Sequence, residues 1–98
     1  MIIVLVRHRI ADYTRWRTVF DGALDFRHRG GERSCRFFRN AEDDHDLTLL
    51  FEWESGDLAH RYMHSPELQA KMQEAGVVNK PEITYLSEMY TVRRSAAD

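Results

Sequence analysis

Three histidines are the side chains best suited to chemistry near neutral pH. His60 and His64 stand four apart in "AHRYMHSPEL", and His8 sits inside "IIVLVRHRI". Spacing of i, i+4 puts two imidazoles on one helix face, as in a two-histidine metal motif. That motif also needs Glu directly after the first His and a third ligand, but Arg61 follows His60 and no third ligand stands out. At about 100° per residue, Leu58, Ala59, Tyr62 and Met63 form one stripe and both histidines fall outside it. A solvated face is expected there, and no metal site.

His8 shares an alternating strand face with Val4 and Val6. Its imidazole is expected either to be hydrogen-bonded inside a core or to serve as an acid, base or ligand donor. Arg36 and Arg39 would meet an acidic group if they pointed inward, although Arg is more often an exposed partner of a carboxylate. Glu52 invites pairing with His8 as an acid-base dyad. With His8 placed opposite about Thr48, Glu52 lies four residues further on, roughly 13 Å away at about 3.3 Å per residue, too far for a direct bond. The single cysteine, Cys35, cannot form an internal disulfide and belongs to no CxxC pair, so it reads as a small core hydrophobe. No Ser-His-Asp set, phosphate-binding glycine loop or cysteine nucleophile is visible.

Six segments must position these groups. Ile2 to Ile10 is β-branched and apolar, the mark of a central strand. Asp12 caps a helix whose stripe is Tyr13, Trp16, Val19, Phe20, Ala23, Leu24 and Phe26, ending at Gly30 and Gly31. Glu32–Arg39 and Asp46–Trp53 form a hairpin across the turn "NAEDDH". A helical region in two pieces follows, one capped by Ser55 and one opened by "SPEL" at Ser65, with Gly76 closing it. Glu82 to Val92 is the last strand. The expected unit is one domain over residues 1–92, with a frayed tail over 93–98.

Strand, helix, strand, strand, helix, strand is the α+β, ferredoxin-like βαββαβ order. It places both helices on one face of a four-stranded antiparallel sheet. The strands nevertheless carry apolar residues on both faces: Ile2, Val4 and Val6 alternate with Ile3 and Leu5, and Leu47, Leu49, Phe51 and Trp53 with Thr48 and Leu50. Two helices cannot cover both faces, and a large exposed apolar face is unusual on a soluble monomer. A homodimer pairing through the open sheet face is expected.

Length and composition bound the rest. The 98 residues are 43% hydrophobic and 31% charged, with net charge -2, which gives no electrostatic case for nucleic acid or a membrane surface as partner. The opening "MIIVLV" is too short for a signal-peptide core, so a cytoplasmic protein is expected.

The stretches "VRHRIADYTRW", "LLFEWES", "HSPELQAKMQEAGV" and "KPEITYL" resemble the dimeric α+β barrel superfamily. The similarity is greatest to small antibiotic-biosynthesis-monooxygenase-like proteins, some labelled cyclases, and it runs from residue 2 to about 90. It implies two ferredoxin-like subunits packed sheet to sheet, no cofactor, and a cavity for a planar aromatic or polyketide-like compound. His8, Arg36, Trp53 and Tyr85 would line that cavity, with Trp53 matching a cavity Trp of the monooxygenases. The chain departs from the pattern at Leu49, where those enzymes have Asn, and at Tyr62, where related proteins often have His. A haem binder and a non-enzymatic dimer with a cavity filled by its own aromatic side chains are the alternatives.

Overall fold

A computed structural model describes residues 1–94. The β-branched run becomes strand β1 (Ile2–Arg9), at the centre of a four-stranded antiparallel sheet ordered β2-β3-β1-β4. Helices α1 (Tyr13–Gly22) and α2 (Leu24–Gly30) follow it, then the hairpin of β2 (Glu32–Asn40) and β3 (Asp43–Trp53). Helices α3 (Gly56–Met63) and α4 (Pro66–Ala75) lead to β4 (Glu82–Leu86). This is the expected α+β, ferredoxin-like arrangement.

The caps read from sequence hold. Asp12 accepts the Arg15 N–H at 2.8 Å, and Ser55 and Ser65 accept those of Leu58 and Leu68, each at 3.2 Å. Pro66 opens α4, and Gly76 ends it in the left-handed conformation at φ 81°.

Three boundaries differ from expectation, each for a physical reason. The first helix is broken at Ala23, whose N–H bonds back to the carbonyls of Val19 and Phe20. Arg27 stays on the inward side across the break, and its Nη1 donates to the Phe20 carbonyl. Leu24, placed on the buried stripe by a continuous helix, is instead exposed. Second, β3 starts at Asp43 rather than Asp46, because Asn40 pairs with Asp43 and shortens the turn to Ala41 and Glu42. Third, β4 stops at Leu86 instead of reaching Val92. Its ladder on β1 runs from Arg7 opposite Glu82 to Ile3 opposite Leu86, and β1 itself begins at Ile2. Beyond that point no neighbouring strand remains to accept backbone hydrogen bonds, and Met89, Tyr90 and Val92 are exposed. Of the expected tail, Arg93 and Arg94 are exposed and without regular structure, while residues 95–98 lie outside the described part.

The register sorts the side chains between two faces. Val4, Val6 and His8 lie beside Phe51, Leu49 and Leu47 on the helix-covered face. Trp16, Ala59, Tyr62, Met63 and Ala75 close over them as the core. Ile3, Leu5, Leu50, Phe38 and Leu86 point to the other face, among Arg7, Arg36, Asp46 and Glu52. Among the described residues no element covers that face.

Candidate functional site

Between the sheet and the helices lies a cavity of about 70 Å³, open on one side. Val6, His8, Leu49, Phe51 and Ile83 form its floor, Trp16, Phe20 and Arg27 one wall, and Met63, Leu68, Lys71 and Met72 the other. The lining is almost wholly apolar, and His8 and Arg27 are its buried polar members.

His8 is 5% exposed, and among the described residues neither ring nitrogen has a hydrogen-bond partner. Its ring meets the Trp16 indole edge to face, centroids 6.0 Å apart. Burial drives its pKa down to about 4, with the Asp46 charge opposing the shift. At neutral pH the ring is therefore uncharged, with one N–H donor and one lone pair both unused. Leaving a buried polar group unpaired costs about 1–3 kcal/mol, and such groups are rare in folded proteins. Asp46 does not satisfy the ring, because its carboxylate is taken on the open face by Arg7 at 2.8 Å and Asn40 at 3.0 Å. Those bonds hold Asp46 down to a pKa of about 2. His8 also borders a polar recess of about 150 Å³ at the end of the sheet, shared with Arg7, Arg9, Asp46, Asn79 and Glu82.

The four residues expected to line one site do not share it. His8 does line the cavity. Trp53 is fully buried behind it, with Nε1 donating to the Gly30 carbonyl at 3.0 Å and its ring 4.7 Å from that of Tyr62. A Cβ on Gly31, which sits at φ 115°, would come within 2.8 Å of that nitrogen, so Trp53 locks the α2–β2 corner. Tyr85 lies on the helix-covered face but turns to α3, its ring 5.0 Å from His60. Its Oη is buried without a partner among the described residues, and burial raises its pKa. Arg36, opposite Leu50, is on the other side of the sheet, 5.2 Å over the Phe38 ring. The inward alternative for Arg36 is thus corrected by strand parity, which sends residues 34, 36 and 38 to the open face.

Other candidates resolve as directly. The first strand slides by one residue from the expected register, so His8 faces Leu47 and Glu52 faces Ile3. The His8–Glu52 dyad therefore fails twice, by separation along the strand and by opposite faces. His60 and His64 are exposed on α3 and at its end, their rings 4.6 Å apart. Among the described residues no three His, Cys, Asp or Glu side chains converge as a metal would need. Burial pushes the Cys35 thiol up to about 12, which removes it as a nucleophile.

Sequence reading missed Trp16 as a cavity wall and Arg27 altogether. Arg27 is 5% exposed, and its Nε donates to the equally buried Glu32 at 2.7 Å. A signal for it existed. At about 100° per residue, position 27 falls at the centre of the Trp16, Phe20, Ala23 stripe. A cation in that place needs a buried partner.

No family model matches the chain, and no curated protein matches it. Solved structures do. A protein of Bordetella bronchiseptica described as a proposed antibiotic biosynthesis monooxygenase is similar at TM-score 0.76 and 15% identity, over 91% of this chain and 97% of that one. SnoaB, a cofactor-independent oxygenase of Streptomyces nogalater, is similar at TM-score 0.68 and 15% identity, over 99% and 97%. The Streptomyces coelicolor monooxygenase from ActVA-Orf6, solved with Nanaomycin D, is similar at TM-score 0.64 and 13% identity, over 96% and 92%. The chain shares the ferredoxin-like fold of these antibiotic biosynthesis monooxygenase-like proteins.

Proposed function

We propose that the cavity binds a small, largely apolar molecule with a hydroxyl group, for which His8 supplies the directional contact. The observation that carries this reading is the buried imidazole whose two nitrogens meet no partner among the described residues. An apolar pocket with a few convergent polar groups is the ordinary form of a small-molecule site. Met63 and Met72, unbranched and adaptable, let its walls repack around a ring.

Neutral His8 accepts the ligand's O–H and orients it. With the imidazole at about 4 and a phenol near 10, moving the proton onto the empty-site ring is uphill by about 8 kcal/mol. Full transfer thus depends on what the ligand's own developing anion returns in Coulomb attraction within a dry site. The enzymatic form of this reading is oxygenation of a planar aromatic or polyketide-like compound without a cofactor. Its support is the shared fold with proteins named as such oxygenases. Trp53 and Tyr85 would serve it as scaffold around the cavity, and Arg36 from the opposite face.

The protein acts, on this reading, as a homodimer. The open face carries Phe38 and Leu86, 45% and 40% exposed, and the unpaired segment after Leu86 presents Met89, Tyr90 and Val92. A second copy covering both would remove apolar surface from water at about 25 cal/mol per Å².

Native mass spectrometry of the purified protein, followed by titration with phenol, tests the binding reading. A co-purified mass or a saturable shift that His8→Leu abolishes is the expected result. Absence of both in the wild-type protein overturns it.

A further inference from the structure

The cavity has a second buried polar group, and its charge is already balanced. The Arg27 and Glu32 side chains are 6% and 3% exposed and joined at 2.7 Å. The Arg27 guanidinium carbon lies 3.7 Å from the centroid of Phe20, Phe20 stacks on Trp16 at 4.8 Å, and Trp16 meets His8 at 6.0 Å. An aromatic row thus separates two polar ends, a neutral imidazole and a guanidinium. Nε of Arg27 is spent on Glu32 and Nη1 on the Phe20 carbonyl, while Nη2 has no hydrogen-bond partner among the described residues.

A buried ion pair is seldom worth more than an apolar pair of the same shape. Here the cation stands on the wall of the cavity that holds the unpartnered histidine, and Glu32 backs it from behind the lining. We propose that Arg27 and Glu32 together make the cavity selective for uncharged ligands that carry an acceptor oxygen, such as a carbonyl, at the end away from the hydroxyl bound by His8. This rests on the binding reading above and goes beyond it by naming the second contact and the charge of the ligand.

The physical argument has two parts. A guanidinium N–H meets a carbonyl oxygen in a low-dielectric site, which strengthens the bond. A carboxylate in the same place would find the cation already neutralised by Glu32, and would have to shed its water beside a like charge. Glu32 also faces His28, whose Nε2 is 3.4 Å away, but that ring is exposed. Lys71 belongs to the lining with its Nζ 5.4 Å from the Phe26 ring, partly exposed to solvent, where salt screens it.

The test titrates three probes, phenol, 4-hydroxybenzaldehyde and 4-hydroxybenzoate, into the full chain at about pH 6, where the aldehyde keeps its phenolic proton and the benzoate is an anion, and 0.3 M salt, with tryptophan fluorescence as readout. The expected wild-type order is the aldehyde at least tenfold tighter than phenol, with the benzoate weakest. Glu32→Gln, which keeps the shape and frees the cation, is expected to shift the benzoate-to-aldehyde preference at least tenfold toward the benzoate. The double variant R27M/E32L, which leaves no buried charge behind, is expected to bind phenol and the aldehyde equally. It keeps the proposal open to refutation if Glu32→Gln does not fold. Equal binding of phenol and the aldehyde by the wild type, or an aldehyde preference that survives in R27M/E32L, overturns the proposal and leaves the binding reading intact. Failure of all three probes to bind the wild type overturns both.

Discussion

The two faces of the sheet are built from the same strands by simple alternation, yet they end in different conditions. On the helix-covered face nearly every side chain has found its contacts. Rings pack on rings from Trp16 to Phe20 to Phe37, Trp53 spends its N–H on Gly30, and the buried charges Arg27 and Glu32 hold each other. Against that background His8, with no described residue bonded to either nitrogen, is conspicuous. The other face reverses the balance. Its most buried charge, Asp46, is held by Arg7, and its apolar groups Phe38 and Leu86 are the ones left uncovered. An unmet polar group inside and unmet apolar groups outside call for different partners. The first fits a small molecule with a hydroxyl, the second another copy of the chain.

The sharpest way to break the covered face is Trp53→Ala. It removes a fully buried indole and its hydrogen bond, and a loss of about 3–5 kcal/mol is expected from urea unfolding. Next comes acid. Because His8 titrates near 4 when folded and near 6.5 when unfolded, the unfolded chain binds the extra proton between those values. Stability contributed by this group is therefore complete above about pH 6.5 and falls by about 3 kcal/mol as pH drops toward 4. His8→Leu should flatten that segment of the pH curve, and an unchanged slope would contradict the burial of a neutral ring. At pH 7 the same variant is expected to be more stable than wild type by about 1–2 kcal/mol, since a leucine has no orphaned nitrogens. It should nonetheless lose the ligand, and that opposition separates a functional histidine from a structural one. Leu86→Asp, at a position of the open face that is 40% exposed, is expected to move the stability of a single chain least, within about 0.5 kcal/mol. It should still halve the sedimenting mass, and a wild-type protein that sediments as a monomer at micromolar concentration would end the dimer proposal.

Much of the fold was legible because its signals are local. Alternation marked β1 and β3, serines and Asp12 marked helix starts, and glycines 31 and 76 marked helix ends. The errors fell where a remote contact decides. A continuous apolar stripe from Tyr13 to Phe26 does not show that the helix bends at Ala23, because Arg27 capping Phe20 and pairing with Glu32 is what rewards the bend. Alternation from Glu82 to Val92 does not show where β4 stops, because that depends on how far β1 extends beside it.

The candidate site was less legible than the fold. Types and spacing could select His8 and place it on a face with Val4 and Val6. They could not divide His8, Arg36, Trp53 and Tyr85 among different environments, since a one-residue change of parity carries a side chain across the sheet.

The sequence by itself determined the order of elements, the apolar character of both sheet faces and the exclusion of a two-histidine metal motif, because each follows from periodicity or from the identity of one neighbour. Only the tertiary structure decided that His8 has no partner among the described residues, that Trp53 pins a corner behind the cavity and that Arg27 lines the cavity with the histidine. Those facts depend on which distant atoms come within about 3–4 Å of one another.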